Sequence, residues 1–589
     1  MQSVTEERGT VLVVVLILAV VLAVFCVTSL MVSDRESQGT HVGIQRDKAF
    51  FIASAGLHDA VKTLKDMMAA SSLGGAFEPF EALAGTTVVE KCPLMSSGVA
   101  AGEYEVVVDS VTAVDSSNRD ITITSTGWVP SADHPRVVRR TVTAVLRIGC
   151  ARSEVFDYVY FINNWAWYHG ENIKANGNVR ANGRFCFGGH SSEINGLPRF
   201  TGLSSCVFGE KVDDGGIYAS WDVVEDDEVE GDTSGEEHKH SFVETARMPN
   251  LTDLSAYEAT AKLNNSSITI GGTKVCNAVV GDEEGEKPNL YLDGSSDSPI
   301  VLNGPVVVRG DLIIQGYVTG KGALYAGGNI YVAGDLKYKN KIEDTPDGTR
   351  DKMEAWLVKA EDADALGLFA VEHIIVGDYT DSEWQEYVGG RVNDSQYGSG
   401  ETAGEDKIHR TRAGRDGIAG TADDDALEDD GAWTTDFYTG KHAEWGLIPD
   451  GFHIGDPIPG TGEDTDGDGK YDPPTKMSEF DLKAPLLRDY WEGNLPKTDS
   501  PISYCDICRG GIKIKQLDAA FYTNHTFAVL TDEDLIINGC LVVRNEATLY
   551  GKKHLTLNYD VRLLRLNNPH GLWLPTTWQP LKMVMWRCN

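Results

Sequence analysis

Residues 10–32 (TVLVVVLILAVVLAVFCVTSLMV) are 23 positions without a charge. As a helix they measure about 35 Å at 1.5 Å per residue, enough to cross a hydrocarbon core of about 30 Å. The pattern predicts a membrane span over residues 10–33. A cleaved secretory signal is the alternative, but its apolar region runs about 7–15 residues behind a positive segment, and Glu6, Glu7 and Arg8 are not net positive. A lipid anchor on Cys26 does not fit, because Phe25 stands where a small residue is needed. The flanking cations, Arg8 on one side and Arg35, Arg46 and Lys48 on the other, leave the orientation open. Past the span, Ile44, Phe51, Ala55, Leu57, Val61, Leu64 and Met68 approximate a helical stripe, so one long helix is predicted to continue through residues 34–75.

Alternating or β-branched runs at 104–108, 120–125 and 137–147, with turn residues between them, predict a small antiparallel β domain over residues 76–150 that covers this helix. From Pro299 the period changes to six: PIVLNG, PVVVRG, DLIIQG, YVTGKG, ALYAGG, NIYVAG, with Gly304, Gly310, Gly316, Gly322, Gly328 and Gly334 in phase. The second and fourth places (Val306 and Val308, Leu312 and Ile314) point inward, and Gly permits the corner. The phase returns at Gly177, Gly183 and Gly189, and again at Gly539 and Gly551, where DLIING nearly copies DLIIQG. The fold class is therefore mainly β: a long N-terminal helix with a small antiparallel sheet, then an interrupted hexad-repeat β-solenoid with an acidic insertion. The solenoid is expected over 155–340 with an acidic loop at 225–237, and returns over 501–565 before a C-terminal tail, 566–589. Residues 341–500 read as an acidic Gly/Asp-rich insertion. A β-sandwich with glycine turns is the alternative, though its strands recur every 8–12 residues or so.

The chain of 589 residues is long enough for a large core. Its 52 Lys and Arg stand against 88 Asp and Glu, a net charge of -36, which repels phosphate backbones and excludes nucleic acid as a partner. The acid is concentrated where it can hold a hard cation. Asp464, Asp466, Asp468 and Asp472 occupy places 1, 3, 5 and 9 of a loop with Gly469 at place 6, and the Lys470 carbonyl is available at place 7. Oxygen ligands at that spacing predict calcium over 464–472. Place 12 is Thr475 rather than a bidentate Glu, so the loop is closer to those of dockerins and thrombospondin type 3 repeats than to a full EF-hand.

Of ten cysteines, nine lie outside the span, and Cys505 and Cys508 are candidates for a local disulfide, with a zinc half-site or two thiols as alternatives. His238, Lys239 and His240 are a metal candidate or a solvated charged run, and Trp165, Trp167 and Tyr168 a core cap or a sugar platform. The chain has no G-x-S-x-G, no H-E-x-x-H and no phosphate loop, so no catalytic residue is assigned.

Glu7-Arg8-Gly9 before an aliphatic run, then Arg46-Asp47-Lys48-Ala49-Phe50 and Ala53-Ser54-Ala55-Gly56-Leu57, resemble the N-terminal domain of PilX-type pilin-like proteins of type IV pilus and type II secretion systems. Residues 121–127 and the segment Leu557 to Leu563 are similar to later parts of the same family. The resemblance implies that a prepilin peptidase cuts after Gly9 and leaves Thr10 first. It implies a single-pass anchor in the cytoplasmic membrane with the bulk of the chain periplasmic or extracellular. The position five after Gly9 is Val14, not the Glu with which major pilins register subunits, which favours an accessory or tip role.

The function expected is that of a non-enzymatic envelope protein, an accessory or tip subunit working with other pilin-like subunits in adhesion or assembly, on a surface polysaccharide or protein. The alternatives are a membrane-anchored β-helix enzyme acting on polysaccharide, and a polymer-forming scaffold similar to the bactofilins.

Overall fold

The computed structural model describes residues 4–70, 77–195, 216–341, 355–389 and 486–588, most with short gaps, together with the strand pair 411–412 and 425–426. It forms two compact units. One comprises residues 1–68, 76–149 and 579–589, the other 69–75 and 150–578. The chain is mainly β with one long N-terminal helix, as its patterning predicts.

In the first unit, helix α1 (Val4–Ala70) packs its second half on an antiparallel sheet. The strands are β1 (Thr87–Ser96), β2 (Val99–Ala113), β3 (Asn118–Val129) and β4 (Val138–Arg152), followed in space by the C-terminal strand Lys582–Cys588. Alternate residues point at the helix: Val106 and Val108 on β2, Ile121 and Ile123 on β3, Val142, Ala144 and Leu146 on β4. The helical stripe differs from the one expected. The buried positions are Ala49, Ile52, Ala53, Leu57, Ala60, Leu64 and Met68, whereas Ile44 and Phe51 face outward, Phe51 being 66% exposed. The cause is close approach. A Cβ on Gly127 would lie 2.3 Å from the Ala49 carbonyl oxygen and 2.6 Å from the Ala53 nitrogen, so the helix backbone passes directly over Gly127 at Ala49 and Ala53.

Two further corrections concern this sheet. It has six strands rather than three, and residues 566–589 are not a simple tail, because Thr576–Trp578 and Lys582–Cys588 both pair antiparallel with β4, Lys582 facing Arg147. The run Met583-Val584-Met585-Trp586 lacks a period of two, and its partner lies on the far side of the whole second unit in sequence.

The second unit is a stack of parallel strands in three ladders. One ladder runs through 279–280, 306–308, 324–326, 365–370, 520–523, 541–543, 160–162, 179–181, 217–219 and 239–240. Successive partners are commonly 18 residues apart, as in Asp311–Asn329, which corresponds to three hexads, or 20 apart, as in Asn538–Asn558, two residues more. Spatial order is not chain order. The chain joins the stack in its interior at 160, descends to 240, crosses over, and rises from 267 to 559 until 541–543 pairs with 160–162. The strands Ala365–Ala370 and Ile374–Val376 belong to the stack, so the expected insertion 341–500 contains part of the core.

The second and fourth places of the hexads are buried, as Val306, Val308, Leu312 and Ile314 show, but so are the third places Val307 and Ile313. Both outer rows are roofed. Tyr291, Ile313, Tyr331, Ile375 and Ala528 align across strands and lie under Trp384, Leu487, Ile502 and Tyr504, supplied by the flanks of the acidic tract. Burial of such large side chains contributes about 1.5–3 kcal/mol each. At the corners the glycines serve in two ways. Gly316 has φ +94, a left-handed conformation, while Gly322 has an ordinary φ but lies where a Cβ would meet the Gly304 oxygen at 2.3 Å.

Candidate functional site

The exposed half of α1 is the first functional feature. Every large apolar residue from Val13 to Val32 is at least half exposed, with Leu30 at 70% and Phe25 at 69%. Scattered exposed apolar residues are ordinary, but a continuous collar of them around two dozen helical positions requires an apolar surrounding. The helix is long and apolar enough to cross a membrane. Gly9 and Thr10 lie within its helical backbone.

The incoming and outgoing strands of the second unit form a closed junction. Residues 150–152 pair antiparallel with 576–578, and the Ser153 amide donates to the Pro575 carbonyl at 3.2 Å. Near the end of the last rung, Arg562, 2% exposed, donates to Asp560 at 2.7 Å and to the Asp364 carbonyl at 3.0 Å. The sequence singles this segment out only by family likeness; its physical role is to fasten residues 360–364 to the segment that follows the strand Leu555–Tyr559.

One corner gathers perturbed titratable groups. His373 accepts the Thr526 amide on Nδ1 at 3.3 Å, which fixes a neutral ring, and its ring lies 5.4 Å from that of His525. His525 Nε2 is 3.4 Å from the Glu372 carboxylate. Burial, then its neighbour His525, holds His373 well below the usual imidazole range. Burial and then the Arg544 charge depress His525 to about 4. Burial, with Asp311 adding repulsion, raises Glu372. Imidazoles held neutral at pH 7 are poor general acids.

The other expected sites are placed as follows. Asp464, Asp466, Asp468, Lys470 and Asp472 lie outside the described residues. Cys505 is exposed in the short helix Tyr504–Ile507 and Cys508 caps it; no disulfide joins them. His240 stacks on Tyr218 at 4.5 Å, and His238 is 6% exposed, so the histidine run is part of the stack's surface rather than a solvated loop. Among the described residues no group of three or more His, Cys, Asp or Glu is arranged to hold a metal ion. The sequence reading missed the asparagine and aspartate ladders that stitch the rungs together. Their signal is Asn or Asp recurring at the rung period, as at Asp518, Asn538 and Asn558.

No family model matches the chain, and no curated protein matches it. Among solved structures the chain is similar to the competence-associated pilin ComZ from Thermus thermophilus, at 12% identity over 92% of this chain and 97% of that one, with a TM-score of 0.27.

Proposed function

We propose that the chain is a pilin-like, non-enzymatic envelope protein: an accessory or tip subunit of a type IV pilus or type II secretion-like system, anchored in the cytoplasmic membrane by α1 and active in adhesion or assembly. The observation that carries this reading is the division of α1 into a bare apolar half and a half bedded on an antiparallel sheet. That is the arrangement of a subunit stored in a bilayer with its globular part outside it.

The body in this reading is a β-solenoid of three-hexad turns, spliced between β4 and the last strand of the pilin-like sheet. Parallel partners 18 and 20 residues apart support it. A bactofilin-like scaffold is less favoured, since the strand Ser267–Ile270 lies antiparallel on 300–303 and interrupts parallel stacking at that end. Calcium at Asp464, Asp466, Asp468, Asp472 and the Lys470 carbonyl would order the acidic tract.

Mass spectrometry of the mature chain tests the assignment. A first residue of Thr10, lost when the prepilin peptidase is deleted, is the expected result. A full-length chain starting at Met1 in the cytosol would overturn it.

A further inference from the structure

The two edges of the antiparallel sheet, at β1 and at Lys582–Cys588, are built differently. β1 forms one edge, and its pairing with β2 is broken by three register shifts; it carries Pro93 together with Glu90 and Lys91. Bulges, proline and charge are the means by which an edge is closed to further pairing. The opposite edge, Lys582–Cys588, has one register shift and is exposed at all seven residues, with Met583 at 50% and Trp586 at 48%. Among the described residues it pairs with β4 alone.

Its side chains are sorted by face. Lys582, Met585 and Arg587 stand opposite Arg147, Val145 and Thr143, on the side away from α1. Met583, Trp586 and Cys588 stand opposite Leu146, Ala144 and Val142, the residues that face the helix. On that side the Trp586 ring meets Phe50 edge to face at 6.1 Å. On the outer side Arg147 is already satisfied by Asp120 at 2.7 Å and 2.9 Å, so the charge of Lys582 beside it is uncompensated. Lys582 and Arg587 have no ion pair among the described residues, and the strand contains no acid.

We propose that Lys582–Cys588 is a docking edge for an extended acidic strand of another polypeptide, which adds to the sheet by backbone pairing. Its carboxylates, at alternate positions, meet Lys582 and Arg587 on the outer face. Its intervening apolar side chains cover Met583 and Trp586 on the helix side. Charge at the edge selects this partner over a second copy of the chain, because a second copy presents the same two cations, Lys582 and Arg587, at this strand.

The full chain in detergent is titrated with a labelled, end-capped peptide of about nine residues that alternates Glu and Val. Its counterpart alternates Lys and Val, and a third peptide is the Glu form N-methylated at every second amide. The Glu peptide is expected to bind at least about tenfold more tightly than the Lys peptide and to slow hydrogen exchange across 582–588. The N-methylated form should not bind, and the double variant Lys582→Glu, Arg587→Glu should reverse the preference. Absence of binding, equal binding of the two charges, or binding that survives N-methylation would each overturn the proposal. So would amides at 582–588 that are already protected in the chain alone, whether by its own acidic tract or by a second copy.

Discussion

Asn176 donates its side-chain amide to the side-chain oxygen of Asn558 at 2.7 Å, although 382 residues separate them in sequence. The bond is one step of a ladder. Asn195 donates to Asn176 at 2.8 Å, Asn558 to Asn538 at 2.9 Å, and Asn538 to the buried carboxylate of Asp518 at 2.6 Å. Residues from both limbs of the chain interleave in it, so it fixes the seam where the descending and rising halves of the stack meet. Asn558→Ala removes two of these bonds and is expected to cost about 1–3 kcal/mol. Thr556→Ala, in the other outward row of the same strand, should cost less than about 0.5 kcal/mol. Denaturant unfolding of the two variants side by side checks the difference.

Arg562 is nearly inaccessible, and its guanidinium is divided between the Asp560 carboxylate and the carbonyls of 360, 363 and 364. Removing it leaves a largely buried carboxylate and three acceptors without their donor. Arg562→Ala should destabilise the body by about 3–5 kcal/mol and open residues 360–364 to proteases before the rest of the chain. Equal cleavage in wild type and variant would show that the clamp does not hold this segment.

Two glycines of the first unit should respond in opposite ways. Gly127→Ala places a Cβ against the helix backbone at Ala49 and Ala53 and is expected to loosen α1 from the sheet, at a cost of about 1–3 kcal/mol. Gly39→Ala has open space around it in the exposed part of α1 and should stabilise the helix by about 0.5–1 kcal/mol. Hydrogen exchange of α1 amides on either side of residue 49 reads both effects.

Acid should weaken the body through His373 and His525. Their folded pKa values lie below the unfolded value of about 6.5, so the unfolded chain binds more protons below that pH. The stabilisation is complete above about 6.5 and is lost as pH falls through the window toward about 4 for His525. Its share is bounded by about 3 kcal/mol. Glu372, raised by burial, acts with the opposite sign and offsets part of the loss. The difference in unfolding free energy between wild type and His525→Gln, followed from pH 7 to 4.5, isolates the histidine. A gap that does not change with pH would remove it as the cause.

If residues 464–472 hold calcium, the double variant Asp466→Ala, Asp468→Ala should lower the melting temperature only when calcium is present. An equal drop in chelator would mean that the loop is an acidic turn without an ion.

The sequence alone determined those features whose cause is local or periodic. The uncharged run at 10–32 and the stripe after it specify one long helix, and the six-residue phase with glycine at its end specifies short strands whose second and fourth places face inward. Short-range sterics and the two-residue alternation of a strand are enough for both. Where the helix must approach a sheet closely, the local pattern fails: Phe51 is turned out, while the close approach to Gly127 on a distant strand sets Ala49, Ile52 and Ala53 against the sheet. Only the tertiary structure decided which strand lies beside which. Parallel rungs are nearly equivalent as partners, and their order is chosen by long-range contacts such as Asn176 with Asn558, by the apolar roof over Ile313, and by closure of the sheet through Lys582–Cys588. The first and last of these join residues hundreds of positions apart, and no period in the sequence encodes such a distance.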